Sequence, residues 1–162
     1  MEQVGVELIA FPCNSLDYFI DYLRAQSDLP ILSIVNETCK RVREKEAEEV
    51  LLLSTPITFN KELYNRYLRY KNIVRLENHE KILKIIICTM KGEYPKNEFI
   101  EMLEGECSMY KSIIIGCTDL SILVENYTND KLIDSIKCLS AAIKRDCVKE
   151  KPKDDNNNLV LK

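Results

Sequence analysis

Cys13 and Cys117 are the residues whose type and context best equip this chain for chemistry. Each follows an apolar run that reads as a buried strand, Val4 to Phe11 in one case and Ser112 to Ile115 in the other. Each is followed by a small polar residue and an amphipathic stretch. Open α/β sheets build ligand sites outside the carboxyl ends of their strands, so two such cysteines could face one small molecule from opposite sides. That arrangement suits proton transfer at a carbon centre. The α-hydrogen of an amino acid is a very weak acid, and its removal needs a positioned base and a stabilised carbanion. A thiolate on one face can take that proton, and a thiol on the other can return one and invert the centre. Free thiols titrate near ~8.5, and a helix N-terminus or a nearby cation lowers that value. Both cysteines stand just before an expected helix start, where backbone N–H groups favour an anion. Those N–H groups, with Asn14, Ser15 and Thr118, could hold carboxylates.

The elements that must position these residues alternate along the chain. After the first strand, Pro12 and Asn14-Ser15 turn the backbone, and Ser15 is placed to cap a helix over Leu16 to Gln26. Ile31 to Val35 reads as a short strand, and Asn36 as the cap of a helix over Glu37 to Glu48 with a charged, solvated face. A strand over Glu49 to Leu53 ends in the polar loop Ser54-Thr55-Pro56-Ile57-Thr58. The tyrosines at 64, 67 and 70 then recur every three residues, which predicts a helix over Phe59 to Lys71 packed on a sheet. Further strands are expected at Ile73 to Leu76 and Ser112 to Ile115. Helices are expected at His79 to Lys91, Lys96 to Leu103, Leu120 to Val124 and Asp134 to Cys147. His79 reads as a surface or capping residue. Strand and helix in alternation predict an α/β fold with mainly parallel sheets flanked by helices.

Composition narrows the function classes. Hydrophobic residues make up 46% of the 162 and charged residues 30%, the balance of a globular protein with a real core. A net charge of −3 gives no electrostatic reason to expect nucleic-acid binding, and no apolar stretch is long enough to span a bilayer. Met1-Glu2-Gln3-Val4 does not begin a secretory signal, so a cytoplasmic location is expected. The seven cysteines are odd in number, lack any Cys-x-x-Cys pair and share the chain with a single histidine. That pattern argues for reduced thiols rather than a disulfide framework or a structural zinc site. From Lys149 the chain is almost wholly polar and is expected to be disordered over 149–162.

Four segments, in order, resemble the motifs of the aspartate/glutamate racemase superfamily. Pro12-Cys13-Asn14-Ser15 is similar to its Pro-Cys-Asn-Thr, and Gly116-Cys117-Thr118-Asp119 to its Gly-Cys-Thr-Glu. Leu52-Leu53-Ser54-Thr55-Pro56-Ile57-Thr58 resembles its Leu-Leu-Ala-Thr-x-Gly-Thr loop, and Leu132-Ile133-Asp134-Ser135 its final Asp-containing segment. The resemblance implies two α/β lobes with the site in the cleft between them, and neither metal nor pyridoxal phosphate. It implies residues 1–34 and 132–148 as one lobe and 35–131 as the other. Cys13 and Cys117 would be the two acid/base thiols, with Asn14, Ser15, Thr55, Thr58 and Thr118 binding the carboxylates and amino group of aspartate or glutamate.

Departures from the pattern set the alternatives. Members of that superfamily begin with additional strand–helix units carrying a glycine-rich loop. The resemblance therefore implies an amino-terminal truncation of about two units, on the order of 60 residues at ~30 each, an incomplete first lobe, and a homodimer that covers its exposed edge. Leu16-Asp17 stands where Ala-His is common, Ile57 replaces a glycine, and Asp119 shortens a glutamate by one methylene. A degenerate relative without turnover, or a related maleate isomerase or hydantoin racemase, are the competing readings.

Overall fold

The computed structural model describes residues 5–147. Two parallel sheets organise the chain. The smaller pairs β1 (Ile9–Ala10) with β2 (Ile31–Leu32). The larger runs in the order β4-β3-β5-β6, built from β3 (Glu49–Ser54), β4 (Asn72–Val74), β5 (Ile113–Gly116) and β6 (Leu132–Asp134). All of its neighbours pair in parallel, as an alternating chain demands. The fold class read from the sequence is the one observed. β6, which the sequence reading grouped with the first lobe, is hydrogen-bonded to β5 in the larger sheet.

The strand sequences explain why this sheet is buried on both faces. Side chains alternate across a strand, and β3 and β5 are apolar at nearly every position. Leu51, Leu53, Ile113 and Ile115 face one core, packed on Ile82, Ile85 and Ile86 of α4 (His79–Met90) and Phe99, Met102 and Leu103 of α5 (Lys96–Glu104). Val50, Leu52, Ile114 and Ile133 face the other. There they meet Val35, Cys39 and Val42 of α2 (Ile34–Arg43) and Leu139 of α7 (Ser135–Cys147). Near-continuous apolar strands are the signature of a parallel sheet sandwiched by helices.

Local chemistry moves several boundaries. The α2 helix begins at Ile34, because Ser33 rather than Asn36 is the cap: its hydroxyl accepts the Asn36 N–H at 2.9 Å. The first strand is short, Ile9–Ala10, and Ser15–Phe19 forms a 3-10 turn leading into α1 (Ile20–Ala25). The predicted helix over Phe59 to Lys71 is absent. Only α3 (Pro56–Asn60) forms, and Glu62 takes a left-handed backbone with φ 51°. That turn costs about 1–2 kcal/mol for a residue with a Cβ. Beyond it Tyr64 and Leu68 drop into the core beneath β3. The tyrosines therefore separate: Tyr64 is fully buried, Tyr67 half-buried and Tyr70 wholly exposed. His79 opens α4 at the surface, as expected. No helix among the described residues is long and apolar enough to cross a membrane. The polar tail at 149–162 lies outside the described residues.

Candidate active site

The carboxyl ends of β3, β5 and β6 form one edge, because Ser54 is in register with Gly116 and Ile115 with Asp134. The next residues along are Thr55, Cys117 and Ser135. Gly116 leaves room for the Leu52 side chain here: a Cβ at that position would lie 2.6 Å from Leu52 Cδ1, which would have to shift. Cys117 leaves the strand in an extended conformation and caps α6 (Thr118–Leu123), which puts Thr118 in its first turn.

The Cys13-Asn14-Ser15 segment lies across this edge. Its two anchors define the geometry. Asn14 Nδ2 donates to Ser135 Oγ at 3.0 Å, beyond the end of β6. Ser15 Oγ lies 2.9 Å from Thr55 Oγ1 and 3.1 Å from Thr58 Oγ1, beyond the end of β3. Thr55 and Thr58 are themselves 3.1 Å apart, so the three hydroxyls close a triangle. Ser15 was expected to cap the following helix; its hydroxyl is committed to the threonines instead, and the 3-10 turn carries no side-chain cap. Since β5 runs between β3 and β6, at ~4.8 Å per strand step, the anchored pair Asn14-Ser15 bridges the end that carries Cys117. Cys13 itself is exposed, its N–H donating to the Phe11 carbonyl at 2.9 Å.

The two thiols differ in environment. Cys117 is 6% exposed. Burial pushes its thiol up to about 12, and the nearby Asp119 carboxylate, which accepts the S–H at 3.4 Å, adds to the rise. The backbone N–H groups of Asp119 and Leu120 pull the other way without prevailing. The helix start was expected to favour a thiolate; at Cys117 desolvation outweighs the first turn of a six-residue helix.

Two residues that sequence reasoning passed over or left unassigned organise the rest. Tyr64, read only as part of a packing stripe, donates its hydroxyl to Asn14 Oδ1 at 2.6 Å from a fully buried position. Asp134 accepts from Ser121 Oγ at 2.8 Å and from the Ile136 N–H at 2.9 Å, so one carboxylate caps α7 and ties it to α6. Asp17, in place of the histidine common in the superfamily, is buried and accepts the Ser33 hydroxyl at 3.0 Å. Burial raises its carboxyl above the usual range. Thr118 lies apart from the hydroxyl triangle and lines a cavity with Ser121, Asp134 and Lys137. Among the described residues no cluster of three or more His, Cys, Asp or Glu side chains could hold a metal ion.

Residues 1–143 match the family model described as Asp/Glu/Hydantoin racemase. The chain belongs to this family. A broad-specificity amino-acid racemase of Bacillus subtilis (strain 168) is 26% identical over 147 residues, covering 86% of this chain and 64% of the relative. The fold is similar to that of the Picrophilus torridus aspartate racemase, with a TM-score of 0.77 at 24% identity over 90% of this chain and 64% of that one. A glutamate racemase from Campylobacter jejuni aligns with a TM-score of 0.67 at 22% identity, over 90% of this chain and 62% of that one. The chain thus spans about two thirds of the length of these racemases. Within the family frame, three of the seven residues predicted for catalysis and binding, Ser15, Thr55 and Thr58, share hydrogen bonds at the edge described above, and Asn14 is bonded beside them to Ser135 and Tyr64. Cys13 and Cys117 flank them by chain connectivity and strand order, and Thr118 follows on α6.

Proposed function

We propose that this chain is an amino-acid racemase that needs no cofactor, with Cys13 and Cys117 as its acid/base pair and aspartate or glutamate as substrate. One observation carries the reading. Asn14 and Ser15 are bonded to the ends of β6 and β3, on either side of the β5 end that bears Cys117. In the proposed cycle Cys13, as thiolate, breaks the Cα–H bond and keeps the proton as S–H. The electron pair remains on Cα, delocalised into the α-carboxylate. Cys117, held as a neutral thiol by burial, breaks its S–H bond and delivers that proton to the opposite face. The enzyme is left with the thiol and thiolate exchanged, ready for the reverse direction. The Asn14 amide, the hydroxyls of Ser15, Thr55, Thr58 and Thr118, and backbone N–H groups would bind the carboxylates and amino group, and fixed donors of this kind stabilise developing charge.

We further propose that the chain works in the cytoplasm on the free amino acid and as a homodimer. Exposed Tyr18, Phe19, Tyr22 and Ile57 support an associating surface. The test is proton NMR in heavy water with L-aspartate and then L-glutamate, on a sample sized by light scattering. Cysteine-dependent loss of the α-proton signal, followed by appearance of the D-isomer and a mass of two 18.8 kDa chains, is expected. Racemisation undiminished in Cys13→Ser or Cys117→Ser would rule out the two-base mechanism. No exchange on either acid from a folded sample would overturn the assigned activity, and a monomeric mass the dimer.

A further inference from the structure

Three buried side chains from distant parts of the chain meet at the back of the Cys13 segment. The Tyr64 hydroxyl donates to Asn14 Oδ1 at 2.6 Å, and Asn14 Nδ2 donates to Ser135 Oγ at 3.0 Å. Tyr64 and Ser135 are fully buried and Asn14 is nearly so. The chain of donors fixes which way the amide faces, because Tyr64 claims the carbonyl oxygen and Ser135 one of the two N–H hydrogens. Buried hydrogen-bond networks of this kind favour one arrangement, since swapping the amide's oxygen and nitrogen would set donor against donor at the Tyr64 hydroxyl in a low dielectric. Tyr64 is well placed to be immobile: it sits in the core beneath β3 with Leu52, Leu63 and Leu68, and burial keeps its phenol protonated well above its usual range.

We infer that Tyr64 is a positioning residue: through Asn14 and Ser135 it locks the amide and with it the backbone that carries Cys13 across the β5 end. This deepens the proposed racemase site and rests on it for its consequence, but the lock itself is independent of turnover. Packing alone would not need the hydroxyl, since a phenylalanine fills the same core volume.

The experiment compares Tyr64→Phe, Ser135→Ala and the double variant with the parent, in two readouts. The first is hydrogen exchange of the Asn14 side-chain NH₂, assigned by its disappearance in Asn14→Ser. Each single variant is expected to lose at least about tenfold in protection, the equivalent of one hydrogen bond of roughly 1.4 kcal/mol. The double variant should lose less than the sum, because both act through one amide. The second is α-proton exchange in heavy water, where kcat should fall about 10- to 100-fold with KM nearly unchanged, the mark of a misplaced base. Unaltered Asn14 protection in Tyr64→Phe overturns the lock. So does a variant that is merely less stable, with kcat intact. If the parent itself exchanges no α-proton, the racemase reading fails, and the amide protection alone still decides the role of Tyr64.

Discussion

At Cys117 burial and Asp119 act together to keep the proton on sulfur, and this decides how the residue can take part in chemistry. A thiol pushed up to about 12 is a donor at neutral pH, so in the proposed cycle the first proton abstraction would fall to the exposed Cys13. Iodoacetamide reacts with thiolate. At pH 8, peptide mapping should therefore find Cys117 labelled at least about tenfold more slowly than the exposed Cys13 and Cys147. Asp119→Asn removes a negative charge and a strong acceptor while leaving the helpful backbone N–H groups in place. The Cys117 value must then fall, and its labelling should begin at lower pH than in the parent. Equal labelling of Cys117 and Cys13 at pH 8, or no change on Asp119→Asn, would sink this account. Both cysteines were visible in the sequence because each ends an apolar run at a turn. The protonation of Cys117 was not, since a six-residue helix start looks the same in sequence whether or not its surroundings are dry.

The elements that hold the site depend on a few caps and turns. Asp134 serves two helices at once: it caps α7 through the Ile136 N–H and fixes α6 through Ser121. Asp134→Ala deletes the cap, at about 1 kcal/mol, and strands the buried Ser121 hydroxyl, at about 1–3 kcal/mol. A loss of about 2–4 kcal/mol is expected in urea unfolding, whereas Asp134→Asn, which keeps an acceptor oxygen, should lose less than half of it. Equal losses in the two variants would show that the carboxylate's charge, not its acceptor geometry, matters. The same scale separates what the sequence disclosed from what it hid. β3 and β5 were legible because continuous apolar runs bounded by polar loops have few other fates. The threefold tyrosine spacing misled, because nothing local announces a left-handed turn at a glutamate; Glu62 adopts it so that Tyr64 and Leu68 can be buried. The hydroxyl triangle and the Tyr64–Asn14 bond join residues 40 to 50 positions apart and exist only once the strands are in register.

Taken over the whole molecule, the thiols give the fold a pH dependence of definite sign. Burial raises Cys117 and Cys107 to about 12 and Cys138 to about 11, and drives Cys39 higher still. In the unfolded chain these groups ionise near ~8.5. For each, the folded state holds its proton where the unfolded state has released it. The stability they contribute is complete below about pH 8.5 and declines as pH rises from there toward the folded values. Each thiol can add a slope of up to about 1.4 kcal/mol per pH unit. The raised phenol of Tyr64 and the raised ammonium of Lys81 act in the same direction at higher pH, so nothing among these groups offsets the decline. The urea midpoint should be level near pH 7.5 and fall clearly by pH 9.5 with little change in m. Replacing Cys39, at the centre of the α2 packing, by alanine should lower overall stability through the cavity it leaves and at the same time flatten the alkaline decline. The first lowers the curve by the same amount at every pH and the second changes only its alkaline slope, so one titration of parent and variant separates packing from ionisation. A midpoint that stays level from pH 7.5 to 10 in the parent would mean that the helices open enough to let water reach the thiols, and that the sheet is less tightly sandwiched than its two cores imply.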